Sequence, residues 1–114
     1  MNYTLQVVDD IVNMSLTGDL IGGHDTYNLL HEVDTLIEDG FILCKVDISQ
    51  VRYINSSGIG LLITLLTRFR NKGGEIVICY PSESLKKLLI ISKLTAIFNV
   101  AEDEDEAIVK LKSN

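Results

Sequence analysis

The stretch Val46-Asp47-Ile48-Ser49-Gln50-Val51-Arg52-Tyr53-Ile54-Asn55-Ser56-Ser57-Gly58-Ile59-Gly60-Leu61-Leu62 decides how this chain folds. An apolar strand runs into a short polar loop, and two serines then open a strongly apolar helix. The first turn of a helix leaves backbone N–H groups without intrahelical partners, and the helix dipole adds partial positive charge there. Hydroxyls at such a junction face solvent beside donors able to hold a small negative group. The arrangement suits a serine that carries a regulatory phosphate.

Working outward, the helix after the serines places Ile59, Leu62, Ile63, Leu66 and Phe69 on one stripe, with Gly60, Thr64, Thr67, Arg68 and Asn71 opposite. Gly73-Gly74 ends it, and residues 75–79 read as a strand. Upstream, residues 41–48 read as a strand with Ile42, Cys44 and Val46 on one face and Phe41 and Leu43 on the other. Apolar residues on both faces predict a central strand covered on both sides. Residues 3–8 and 11–16 are β-rich runs separated by Asp9-Asp10, which predicts a hairpin. Residues 18–23 read as a loop, and a helix then begins at His24 or Asp25 and closes at Gly40. Its apolar positions are Leu29, Leu30, Val33, Leu36 and Ile37.

Beyond Pro81, residues 82–92 read as a helix capped near Ser82 or Ser84, and residues 97–100 as a short final strand. A last helix from about Asp103 would bury Ala107, Ile108 and Leu111. The run Glu102-Asp103-Glu104-Asp105-Glu106 is the favourable acidic first turn of this helix, balanced by Lys110 and Lys112. The order ββαβαβαβα predicts an α/β domain over residues 1–114. It has a mixed sheet of about five strands and about four helices packed mainly on one face.

The chain has 114 residues, enough for one core, and nearly half are apolar with a single proline, which argues against disorder. Ten basic against 16 acidic residues give a net charge of −6, which disfavours binding to nucleic acid or anionic membrane. Tryptophan is absent and aromatics are few, so platforms for stacking bases are poorly supplied. The N-terminal residues show no export signal and no apolar run is long enough to span a bilayer, so a cytoplasmic location without membrane insertion is expected. Cys44 and Cys79 sit in apolar strand-like runs and read as reduced core thiols.

The central stretch resembles the phosphoserine loop of the STAS family, the anti-sigma-factor antagonists and their relatives. In that family a strand ending Asp-Leu-Ser leads to a Phe/Tyr-hydrophobic-Asp-Ser-Ser-Gly-Leu-Gly helix start. Here the positions read Asp47-Ile48-Ser49 and Tyr53-Ile54-Asn55-Ser56-Ser57-Gly58-Ile59-Gly60. Thr17-Gly18-Asp19-Leu20 is similar to the early Gly-acidic-Leu loop, and Gly73-Gly74-Glu75 precedes the next strand as in the family. Ser92-Lys93-Leu94 and Ile97-Phe98 fit the third helix and last strand, so the resemblance spans nearly the whole chain.

The resemblance implies a binding switch. Ser56 aligns with the phosphoacceptor, and Ser57 is the alternative acceptor or the helix cap. The implied partner surface comprises Asp19, Asp25, Asn55, Ser56, Ser57, Gly58, Gly60 and Thr64. Gly58 and Gly60 lower helix stability, and the expectation is that they keep the loop open to a bulky partner. The implied partners are an anti-sigma factor that is a serine kinase, which would bring its own ATP and Mg²⁺, and a serine phosphatase. No cofactor is assigned to this chain. Asn55 stands where the family has Asp, and Ile21 where many antagonists carry another acid, for which Asp25 is the candidate substitute. A second reading is an accessory module of a membrane transport or lipid-trafficking system, with Ser56 a contact residue outside any phosphate cycle.

Catalysis is disfavoured by missing partners. A serine nucleophile needs a histidine base and an orienting group. His24 and His31 share one expected helix, and nothing in the order of elements places either beside Ser56. They are also too far apart for a metal pair, and the cysteines lack ligand spacing. Gly58-Ile59-Gly60 is only a fragment of a dinucleotide fingerprint, with no phosphate-binding lysine after it.

Overall fold

The structure, a computed structural model, describes residues 1–112; the last two residues of the expected 1–114 domain lie outside them. Strands β1 (Asn2–Val8) and β2 (Ile11–Leu20) form the expected antiparallel hairpin, turned by Asp9 and Asp10, both at positive φ. Helix α1 (His24–Glu38) leads to β3 (Leu43–Ile54), and a single residue then separates β3 from α2 (Ser56–Asn71). After β4 (Glu75–Cys79) come α3 (Glu83–Ile91), a 3-10 turn (Leu94–Ala96), β5 (Asn99–Ala101) and α4 (Glu104–Lys112).

The strands lie in the order β1-β2-β3-β4-β5, antiparallel between the first two and parallel thereafter, so β3 is the centre of a mixed sheet. Alternation along each strand divides the apolar side chains between two faces. Val12, Met14 and Leu16 of β2, Cys44, Val46 and Ile48 of β3, and Ile76 and Ile78 of β4 meet α1, α2 and α3 in the main core. Ile11, Val77, Cys79 and Ala101 point the other way and meet Ala107 and Leu111 of α4 in a smaller one. Three helices therefore share one face, and α4 covers part of the opposite face.

Several strand boundaries and the buried face of α2 differ from the sequence reading. Residues 18–20 extend β2 where a loop was expected, and β3 begins at Leu43 and runs on to Ile54 where a polar loop was expected. Both extensions arise from pairing: β2 and β3 stay in register through two shifts, reaching Asp19 opposite Tyr53 and Leu20 opposite Ile54. The last strand is displaced to Asn99–Ala101, because residues before it turn as a 3-10 segment around buried Leu94 and Phe98. In α2 the buried stripe is Leu61, Leu62, Leu65, Leu66 and Phe69, whereas Ile59 is half-buried and Ile63 exposed.

The ends of α3 and α4 follow the expected chemistry. Ser82 caps α3 by accepting the Leu85 N–H at 3.3 Å. The acids that open α4 are tied down: Glu104 accepts Lys45 at 2.7 Å, Lys110 pairs with Glu106 at 3.0 Å, and Lys86 pairs with Glu102. The thiols of Cys44 and Cys79 are free and buried, one in each core.

Candidate functional site

The β3–α2 junction is tight because Asn55 does three things at once. Its N–H donates to the Leu20 carbonyl at 3.2 Å, which ties the end of β3 to the end of β2. Its carbonyl accepts the Ile59 N–H at 2.9 Å, the first bond of α2. Its side-chain Oδ1 accepts the Gly58 N–H at 3.0 Å and caps the helix. The cap is thus Asn55, not Ser57. Ser56 and Ser57 are the first two helical residues, and both side chains are exposed. Their own N–H groups belong to the first turn, where a helix supplies no internal acceptor.

Gly58 is buried, which corrects its expected role in opening the loop. A Cβ there would lie 2.1 Å from the Leu20 carbonyl oxygen and 2.9 Å from Cγ2 of Ile54. The glycine lets α2 press against the ends of β2 and β3, and so fixes the height at which the serines emerge. Gly60 behaves differently: it is exposed, and a Cβ there would meet nothing within 4 Å. Thr64, one turn further on, is half-buried and donates its hydroxyl to the Gly60 carbonyl at 2.8 Å.

The loop between β2 and α1 supplies the second wall. Gly22 and Gly23 have φ of +88° and +119°, conformations that L side chains rarely adopt. A Cβ on Gly22 would sit 3.3 Å from Cβ of Ser57, so this loop passes directly beside the second serine. Gly22, Gly23, His24, Thr26, Tyr27 and Ser57 line an open depression of about 480 Å³. His24 and Ser57 thus share the lining of one depression, where the order of elements gave no reason to place either histidine beside Ser56. Asp25 follows His24, exposed, in the first turn of α1.

Asp19 lies on β2, not in a loop, and is held by Arg52 through two bonds, Nε to Oδ1 at 3.0 Å and the terminal nitrogen to Oδ2 at 2.8 Å. The guanidinium bonds hold the Asp19 carboxyl below its ordinary range and raise Arg52 in return. The acid at position 19 is thus one half of an ion pair, on a β2 residue opposite Tyr53 of β3. Large exposed side chains that the sequence reading did not assign to the site are Tyr27 at 75 %, Tyr53 at 55 % and Ile63 at 38 % exposure, with Ile21 exposed as well. Tyr27 falls off the Leu29, Val33, Ile37 stripe of α1, a signal that was available in the sequence.

The arrangement is an open depression lined by Ser57 and Tyr27 beside two exposed serine hydroxyls at a helix N-terminus. Among the described residues, no group of three or more His, Cys, Asp or Glu side chains could hold a metal ion. No described helix is long and apolar enough to cross a membrane.

The sequence model of the STAS domain matches residues 2–107, and the chain belongs to that family. Among curated relatives it is 23 % identical to BtrV of Bordetella bronchiseptica, provisionally named an anti-sigma factor antagonist, over 99 % of this chain and 97 % of BtrV. It is also 23 % identical to the anti-sigma-B factor antagonist of Listeria monocytogenes, over 93 % of this chain and 95 % of that protein. Among solved structures, the phosphorylated form of the Bacillus cell fate determinant SpoIIAA superposes with a TM-score of 0.74 at 22 % identity, covering 97 % of this chain and 100 % of that one. An anti-sigma factor antagonist from Mycobacterium paratuberculosis gives 0.79 at 14 % identity, covering 97 % and 93 %. These likenesses fix the fold: a five-stranded mixed sheet with four helices, α/β in class.

Proposed function

We propose that this chain is an anti-sigma factor antagonist, a phosphorylation-controlled binding switch and not an enzyme. The observation that carries the reading is the β3–α2 junction: Asn55 takes over the capping role, which leaves both exposed serines at the helix start free of it. The unphosphorylated form binds an anti-sigma factor through Ser56, Ser57, Gly60 and the rim formed with Asp19 and Asp25, and so releases the sigma factor. Asn55 and Gly58 shape that surface from beneath, and Thr64 extends it along α2.

The anti-sigma factor is also the kinase and supplies ATP and Mg²⁺, and a serine phosphatase reverses the modification. Phosphate on Ser56 adds roughly 1.5 to 2 negative charges. Inside the chain the first turn of α2 accommodates that charge. Across the interface the same charge and bulk oppose an acidic or nucleotide-bound partner, so the switch needs no refolding. The relatives named above are antagonists by name, which favours this reading over a transport or lipid-trafficking accessory. Such a switch operates in the cytoplasm, where sigma factors act.

The test is binding to a co-purified kinase-type anti-sigma factor by the wild type, Ser56→Ala and Ser56→Asp. Ser56→Asp is expected to weaken the complex more than Ser56→Ala, because charge is the off signal. Equal affinities for Ala, Asp and authentic phosphoserine forms would refute the switch.

A further inference from the structure

In a chain of net charge −6, residues 84–101 carry three lysines and no acid. The same stretch holds Ile91, the most exposed large aliphatic side chain among the described residues at 78 %, and Ile90 at 63 %. Leu85 and Leu89 bury the inner side of α3, whereas Lys87, Ile90 and Ile91, spaced three and four apart, share its outer side. Ile97 is exposed just past the 3-10 turn that follows. Lys86 is drawn into ion pairs with Glu83 and Glu102, but Lys87 and Lys93 enter none among the described residues. Lys93 has φ of +63°, the left-handed region where glycine usually follows a helix end, and its N–H donates to the Ile90 carbonyl at 3.0 Å. A lysine held there forgoes the ease of glycine and supplies a charge at the end of the apolar patch.

We propose that the outer side of α3 and the turn after it dock an acidic amphipathic helix of a partner protein. The helix lays its apolar stripe on Ile90 and Ile91 and its flanking carboxylates toward Lys87 and Lys93. Charge selects this occupant. An anionic membrane presents its charge as a plane, and would also face the rest of the chain, which is more acidic than the whole. A second copy would have to offer the acidic run at residues 102–106, whose glutamates are already paired with Lys86, Lys45 and Lys110. An acid-flanked apolar helix on another protein meets neither obstacle.

The surface is separate from the Ser56 switch. β3, β4 and β5 run parallel, α2 starts where β3 ends, and α3 leads from the end of β4 back to the start of β5. The last turn of α3 therefore lies at the end of the sheet opposite Ser56, and both surfaces can be occupied at once. A few isoleucines and two cations make a small contact, so the complex is weak and reversible, with a Kd of about 10–100 μM.

The experiment titrates the isotopically labelled chain with a synthetic helix of about 15 residues bearing a leucine stripe flanked by glutamates, followed by NMR. A matched helix with lysines for the glutamates and vesicles of anionic phosphatidylglycerol are the competing occupants, and sedimentation reports self-association. The acidic helix is expected to bind and to move the amides of residues 87–97, with affinity falling as salt rises. Ile91→Ser alters an exposed side chain and should weaken binding by about tenfold, because less apolar area is buried in the complex. Lys93→Gly should weaken it by about threefold while the melting temperature holds or rises, since glycine suits a φ of +63°. Absence of binding, equal binding of the lysine-bearing helix, shifts centred elsewhere, or unchanged affinity in both variants would overturn the proposal. So would a patch occupied by the vesicles or by a second copy.

Discussion

The carbonyl oxygen of Leu20 occupies the space that a Cβ on Gly58 would need, 2.1 Å from the ideal Cβ position. The obstacle is backbone at the end of β2, which cannot rotate aside as a side chain could. Gly58→Ala is therefore expected to lift the first turn of α2 and to destabilise the fold by about 1–3 kcal/mol. Gly60→Ala is the control, since its Cβ meets open space, and it should stabilise by roughly 0.5–1 kcal/mol. Urea denaturation of the two variants separates these outcomes, and equal stabilities would contradict the packing described. Loss of partner binding in the stable Gly60→Ala variant would place the partner against that residue.

Asn55→Ala removes the oxygen that accepts the Gly58 N–H and should cost about 1 kcal/mol. Asn55→Asp keeps an acceptor in the same place, so its stability should stay within about 0.5 kcal/mol of the wild type. The same substitution restores the acid found in the family before the acceptor serine, and is expected to raise the rate of Ser56 phosphorylation by a family kinase. A slower reaction would mean that the native kinase has adapted to the neutral residue.

Burial pushes the Cys79 thiol up to about 12 and raises Cys44 as well. A raised thiol pKa leaves the reactive thiolate almost unpopulated at neutral pH. Native protein is expected to resist an aromatic disulfide reagent at pH 8, and unfolded protein to react at two sites. The two thiols also lie in cores on opposite faces of the sheet, so oxidation should not link them within one folded chain. Rapid labelling of the native state would contradict the burial of both.

Much of the fold was legible because period and punctuation agree in most segments. The Asp9-Asp10 hairpin, α1 from His24, β4 from Glu75 and the Ser82 cap of α3 all stand where the sequence put them. The face of α2 was not legible. Ile59, Leu61, Leu62, Ile63, Leu65 and Leu66 leave it apolar nearly all round, so periodicity alone cannot choose a stripe. The choice is made by Gly58 packing against Leu20, a contact between residues far apart in the chain. The approach of Gly22 to Ser57 is likewise tertiary, and Ser49, Gln50 and Arg52 made the end of β3 look like a loop. The position of Ser56 was legible from the strand–serine–glycine order, and the exposure of Tyr27 from its place off the buried stripe of α1, but the exposure of Ile63 on the nearly all-apolar α2 was not.

The Asp19–Arg52 pair makes a prediction about pH. Bonds to the guanidinium depress the folded-state carboxyl, so the favourable pairing is complete above the ordinary carboxylate range and is lost as pH falls through the depressed value. An NMR titration should place the Asp19 midpoint below the unperturbed value of about 3.9. In Arg52→Ala the midpoint should move back up toward it. An identical midpoint in both proteins would show that the pair does not persist in solution. Exposure of Arg52 makes the accompanying change in stability small.

The central claim is that Ser56 carries the switch. Its most direct test is to incubate the chain with its kinase-type anti-sigma factor, ATP and Mg²⁺, map the phosphate by mass spectrometry, and measure binding before and after. The account predicts a single phosphate on Ser56, none in Ser56→Ala, and loss of the complex on phosphorylation. Phosphate placed on Ser57 alone, or an affinity unchanged by phosphate on Ser56, would contradict it.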